Sequence, residues 1–352
     1  MLHNLYALFA LLTLRETSAR KWNNTGKGTI AMEEGWVIPG QLQDLFVNGL
    51  PAATGSSLAQ YVPQLLDIHG RVSVMDATGI DYMILSCITP GIQGIANPLD
   101  AEAVARQTND KLAAAIANNT MRFGAFGAIS MHNPTAAAAE LERVVKKHGF
   151  LGALINDYQE TLNGTLLYYD QPQYDVFWAK AQELNVPIYL HPRFAVPQRL
   201  GQYQHAIWLD GASQEFTISV STHLLGICVN GVFDRFPKLK LIVGHLGERI
   251  PSDLIRIDSA IQSSNIPMNR TIAYYFKNNI WETTSTNFAS DLVEFHKKTI
   301  GIDRIMYSID YPFAPLAAGQ AWVNGDLATR LNATELLKVK RETAINVLGL
   351  NN

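Results

Sequence analysis

Eight apolar, β-branched runs separated by longer helical segments constrain this chain more than any other feature. They are residues 28–34, 81–87, 122–129, 151–157, 186–192, 239–245, 279–285 and 305–312. This alternation is the pattern of a parallel sheet with helical crossovers, and eight strands predict a closed (β/α)8 TIM barrel. Helices are expected over 100–118 with Asp100 as N-cap, over 134–148 opened by Asn133 and Pro134, over 173–184, and over 334–348 ending before Gly349. Segments 36–68 and 193–222 read as irregular, the second being long enough to cover the barrel mouth as a lid.

With 352 residues, 47% hydrophobic and 17% charged, the chain can bury a large core without disulfides or metal. No internal repeat or linker divides it, so residues 21–352 read as one catalytic domain. A formal charge of −3 and the lack of any basic cluster beyond Lys146-Lys147 and Lys297-Lys298 argue against a nucleic-acid partner. Cys87 and Cys228 lie in apolar surroundings and are expected as buried free thiols.

Leu5–Leu14 is an apolar run too short to span a bilayer, followed by small residues at Thr17, Ser18 and Ala19. Residues 1–20 therefore read as a signal peptide or an N-terminal extension. No Lys or Arg precedes the run, which weakens the signal-peptide reading. Sequons at Asn23, Asn118, Asn163, Asn269 and Asn332 fit a secretory route but are close to the number chance would give. Localisation stays open between secretory and cytoplasmic.

Four of the runs end in metal-seeking side chains: Glu33 in GTIAMEE, His191 in VPIYLHP, His245 in LKLIVGH and Asp310 in IMYSIDYP. Strand C-termini are where barrel active sites are built. If Ile30 and Met32 face the outer helices, alternation turns Glu33 inward and Glu34 outward. Pro192 stops its strand after presenting His191, and Glu248, three residues past His245, can orient that ring. His245 could thus be ligand or acid/base partner. Asp310, on the last strand, can face a metal and hand a proton to substrate. The other histidines are expected in structural or surface roles.

The runs AMEEGWVIP, GFLGALINDYQ, YYDQPQYDVFWAKAQELNVPIYLHP, NGVFDRFPKLKLIVGHLGE, NIWETTSTNFA and DRIMYSIDYPF resemble the metal-dependent decarboxylases of the amidohydrolase superfamily, in particular those acting on 2-hydroxybenzoates. The resemblance covers about Gly28 to Leu350. It implies an amidohydrolase-type barrel with one divalent ion, Zn2+, Mg2+ or Mn2+, held by Glu33, His191 and Asp310, and no organic cofactor. It also implies His245 paired with Glu248 beside the metal, Asn156 and Phe313 at the substrate, and Arg256 reaching the site of a neighbouring subunit in a homodimer or homotetramer. The expected reaction is non-oxidative decarboxylation of an ortho-hydroxy aromatic acid, with Asp310 protonating the ring carbon. The second first-strand ligand common in the superfamily is absent, since Gly35 stands there. A lactonase-like metal-dependent hydrolase is the alternative activity, and a non-catalytic relative a more distant one.

Overall fold

The computed structural model describes residues 21–55, 57–261 and 265–350. The expected N-terminal signal or extension lies outside them. All eight expected strands form: Thr29–Trp36, Ile80–Cys87, Phe123–Ala125 continued by Gly127–Ala128, Ala153–Asn156, Pro187–His191, Lys240–Val243, Ile280–Thr283 and Ile305–Met306. Each pairs in parallel with the next in chain order. The third strand breaks at Phe126, whose N–H donates to Leu85 O at 2.9 Å and keeps the sheet continuous across the break.

Closure between the eighth and first strands does not use a regular ladder. The eighth strand pairs regularly only at Ile305 and Met306, short of the expected 305–312. Beyond it, Gly35 N donates to Tyr311 O at 2.8 Å, and Ser308 Oγ accepts from Glu33 N at 2.8 Å. One backbone hydrogen bond and side-chain contacts complete the barrel beyond the regular ladder.

Alternation along the strands makes two apolar layers. Ile30, Met32, Tyr82, Ile84, Tyr189 and Met306 fill the barrel interior, while Ala31, Met83, Leu85, Leu190 and Val243 pack outward under the helices. Burying each large aliphatic side chain is worth roughly 1.5–3 kcal/mol before entropy is counted. Trp22 and Leu348 join the interior cluster, so residues near both ends of the described chain close the end opposite the site. Cys87 and Cys228 are buried and free.

The helix expected over 100–118 runs Pro98–Ile116, and its N-cap is Asn97, not Asp100. Asn97 accepts from the N–H groups of Leu99 and Asp100, and Pro98 fits the first turn because it has no N–H to satisfy. Pro134–His148 starts on Asn133 and ends at Gly149 in the left-handed conformation, as expected. The helix expected over 334–348 is interrupted: Ala333–Leu337 and Thr343–Leu348 flank a π-type turn over Lys338–Glu342. The segment 193–222 is not wholly irregular, because the helix Glu215–Val229 begins within it. Among the described residues no helix is long and apolar enough to cross a membrane.

Candidate active site

Glu33 enters the barrel for a reason the alternation argument missed. Ile30 and Met32 face inward, not outward as assumed, and strict alternation would then turn Glu33 out. A bulge resets the pattern: Ala31 pairs with Met83 but Glu34 pairs with Leu85, so the first strand carries one extra residue. Bulges re-aim side chains in this way beside active sites. Glu33 Oε2 is gripped by the hydroxyls of Tyr189, Ser285 and Thr283, the last at 3.2 Å. Gly244 leaves room for this cradle, since a Cβ there would lie 2.9 Å from Glu33 Oε2 and 3.1 Å from Tyr189 Oη.

Glu33 Oε1 is left without a hydrogen-bond donor although it is buried. Two imidazole nitrogens face it: His191 Nε2 at 2.9 Å and His245 Nε2 at 3.7 Å. The opposite nitrogen of each ring is already engaged. His191 Nδ1 lies 2.6 Å from Pro192 O, and His245 Nδ1 lies 2.6 Å from Glu248 Oε1. A neutral His191 ring that donates at Nδ1 presents an Nε2 lone pair to Glu33 Oε1, so the arrangement calls for a cation there, either a metal ion or the protonated His245 ring. Glu33, His191 and His245 form the one set of closely spaced ligand atoms found among the described residues.

Asp310 joins from the last strand's extension, with Oδ2 3.8 Å from His245 Nε2. The expected ligand trio and this tightest cluster therefore share Glu33 and His191, with His245 standing between them and Asp310. Asp310 has φ 69, a left-handed conformation. Burial pushes its carboxyl above the usual carboxylate range, partly offset by His245. Burial also raises Glu33, but His245 and the His191 contact outweigh it and hold that carboxyl at about 2. Burial opposes charge on His245, yet Glu248, Glu33 and Asp310 together hold its pKa well above the ordinary value. The cluster is built to attract positive charge.

The remaining expected residues divide. Glu248 is buried against His245, its second oxygen unpartnered. Asn156 sits behind His191: its amide donates to Pro192 O at 2.9 Å and lies 3.2 Å from His191 Nδ1. Phe313 stands in an aromatic group, 5.1 Å from the Tyr61 ring and 6.1 Å from Phe46. Arg256 does not join the cluster within one chain; its side chain is 84% exposed, with Asp253 at 3.9 Å. The reading of the sequence passed over Tyr189, Thr283 and Ser285. Tyr189 was visible as the residue two before His191, on the same face of the strand.

Comparison with known proteins gives the family. The amidohydrolase family model matches residues 65–350. The chain is 37% identical over 331 residues to the γ-resorcylate decarboxylase of Rhizobium radiobacter, covering 92% of this chain and 99% of the relative. The solved structure of a 2,6-dihydroxybenzoate decarboxylase complexed with 2,6-dihydroxybenzoate superposes with a TM-score of 0.86 at 37% identity, covering 92% of this chain and 100% of that one. A dihydroxybenzoic acid decarboxylase from Polaromonas, solved with manganese and the inhibitor 2-nitroresorcinol, gives 0.86 at 36% identity, covering 93% of this chain and 98% of that one. The chain belongs to the amidohydrolase family and is a (β/α)8 barrel similar over nearly its whole length to hydroxybenzoate decarboxylases.

Proposed function

We propose that the protein is a metal-dependent carboxy-lyase that converts a 2-hydroxybenzoate to the corresponding phenol and CO2 without oxidation. The observation that carries the reading is the convergence of Glu33 Oε1, His191 Nε2 and His245 Nε2, with Asp310 Oδ2 alongside, in a family whose similar members carry out this reaction. One divalent ion held by Glu33, His191 and Asp310, beside His245, would supply a Lewis-acid anchor for the substrate carboxylate and its ortho oxygen.

The chain's own groups account for the remaining steps. Asp310 gives its proton to the ring carbon bearing the carboxylate. The C–C bond then breaks, its electron pair returns to the ring, and CO2 leaves as the neutral product. The ortho hydroxyl makes the protonation feasible by feeding electron density to that carbon, and His245, which a cation beside it would keep neutral, takes the phenolic proton with Glu248 stabilising the charge it gains. Phe313 offers an aromatic face to the ring, and Asn156, by donating to Pro192 O, holds the carbonyl that orients His191.

Hydrolysis is the weaker reading. It calls for more ligands than this strand offers, and a side chain at Gly35 would meet Leu65 Cδ2 at 2.9 Å and Tyr311 O at 3.1 Å. An assay of 2-hydroxybenzoates against lactones separates the two by product, CO2 or ring-opened acid. The exposed Arg256 sits beside Ile255, itself 87% exposed. This supports a homodimer or homotetramer in which Arg256 reaches a neighbour's site; light scattering on the purified chain tests it, a monomer being the contrary result.

A further inference from the structure

Glu34 is fully buried next to Glu33 but turns to the seam between the first and last strands. Its carboxylate straddles Asp310. Oε1 accepts from Ile309 N at 3.0 Å and from Ser308 Oγ at 3.2 Å, while Oε2 accepts from Tyr311 N at 2.9 Å. The regular ladder has already ended at Met306, so these two N–H groups lack strand partners and depend on the side chain. Asp310 between them holds φ 69, a conformation a non-glycine residue keeps only where its surroundings enforce it.

Other contacts converge on the same few residues. Gly35 N donates to Tyr311 O at 2.8 Å, and the buried Arg71 donates to Gly35 O at 2.6 Å while its guanidinium lies over the Tyr311 ring at 4.9 Å. A carboxyl group suits Glu34's place because both of its oxygens accept here. Glutamine would turn an NH2 toward one of the two N–H donors.

We propose that Glu34 is the positioning residue for Asp310: it clamps the backbone on both sides and fixes the direction in which the Asp310 carboxylate faces the metal and the substrate. The proposal rests on the reading of Asp310 as the metal-facing acid.

The test is a cycle of wild type, Glu34→Gln, Asp310→Asn and the double variant in the full chain, with Mn2+ as probe. Glu34→Gln is expected to weaken Mn2+ binding about fivefold, the worth of one lost hydrogen bond. In the Asp310→Asn background it should change binding by less than about twofold, because the two residues act as a unit. Amide exchange at Ile309 and Tyr311 should accelerate in Glu34→Gln, with kcat for 2,6-dihydroxybenzoate falling more than KM rises. Unchanged exchange at those amides, or an equal loss of Mn2+ affinity with and without Asp310, would overturn the clamp. If Glu34→Gln does not fold, Glu34→Asp, which keeps both acceptor oxygens but shortens the reach, should give the same pattern at smaller size, and its absence counts equally against the proposal. A wild-type protein that releases no CO2 from any 2-hydroxybenzoate would sink the decarboxylase reading, while the exchange and Mn2+ measurements would still decide the clamp.

Discussion

His245 Nδ1 and Glu248 Oε1 meet at 2.6 Å across a turn of left-handed backbone in which His245, Leu246, Gly247, Glu248 and Arg249 all have positive φ. The left-handed conformation costs about 1–2 kcal/mol for each non-glycine residue. Tertiary contacts sustain it, among them Leu246 N to Thr283 O at 2.8 Å and Asn287 Nδ2 to His245 O at 3.2 Å. The turn brings a carboxylate three residues away onto the back of the imidazole. Replacing Glu248 with Gln keeps an acceptor but removes the charge that makes the ring basic. Turnover should fall about 10- to 100-fold with the fold intact; steady-state kinetics beside circular dichroism checks this, and unchanged turnover would refute a role for the pair.

Gly247 is the residue of that turn least able to carry a side chain. Its φ is 70, and a Cβ would lie 2.6 Å from Glu282 Oε2 and 2.7 Å from Pro251 Cγ. Gly247→Ala should destabilise the protein by about 2–4 kcal/mol, combining backbone strain with the clash. Urea denaturation measures it, and a loss below about 0.5 kcal/mol, the scatter of ordinary surface changes, would contradict the geometry.

Metal dependence should be complete. A chelator should abolish turnover and Mn2+ should restore it, while Glu33→Gln should prevent the restoration because it removes the charge on the unpartnered Oε1. Ion at a hundred times its dissociation constant should stabilise the fold by about 2.7 kcal/mol. A thermal midpoint indifferent to added Mn2+, or full activity in the chelator, would contradict the site.

Glu215 gives a prediction about pH. It is buried at the start of the helix Glu215–Val229, and both of its carboxylate oxygens lack partners. Burial raises its pKa to about 8, against a smaller lowering by Arg199 and smaller increases from Asp157 and Asp210. The folded state then holds a proton that the unfolded state releases above about 4.5, so stability falls as pH rises from about 4.5 to 8. Glu215→Gln should be near neutral at pH 5 and stabilising by an amount on the order of 1–3 kcal/mol at pH 8, discounting the full shift for relaxation. Denaturant midpoints at the two pH values check it; an equal effect at both would show that the carboxyl is not held protonated.

Much of this architecture was legible in the sequence because it is local. The eight apolar runs, the Asn133-Pro134 helix start and the placement of His191 at the end of its strand can be read from short windows, although Glu33 falls inside a strand that runs on to Trp36 and Asp310 falls beyond the strand that ends at Met306. What escaped depends on partners distant in the chain. The bulge that turns Glu33 inward exists only relative to the second strand's register, and the hydroxyl cradle around Glu33 joins residues from the fifth and seventh strands. Asn97 was passed over as a cap because Asp100 is an equally good capping residue type, and only Pro98 in the first turn decides between them. The left-handed turn after Gly244 breaks the usual rule for Leu and Arg, and the partial burial of residues 214–222 reflects contacts with distant residues, such as Phe216 with Phe194 and Ser219 with Asp157, that composition does not reveal.

The most direct measurement is release of CO2 from carboxyl-labelled 2,6-dihydroxybenzoate by the Mn2+-loaded chain, with Asp310→Asn in parallel. The account predicts stoichiometric CO2 and resorcinol, with deuterium at the former carboxyl carbon when the reaction runs in D2O. The variant should lose turnover even at Mn2+ concentrations high enough to load it. Metal bound with no CO2 from this acid or any other 2-hydroxybenzoate, or undiminished turnover in Asp310→Asn, would contradict it.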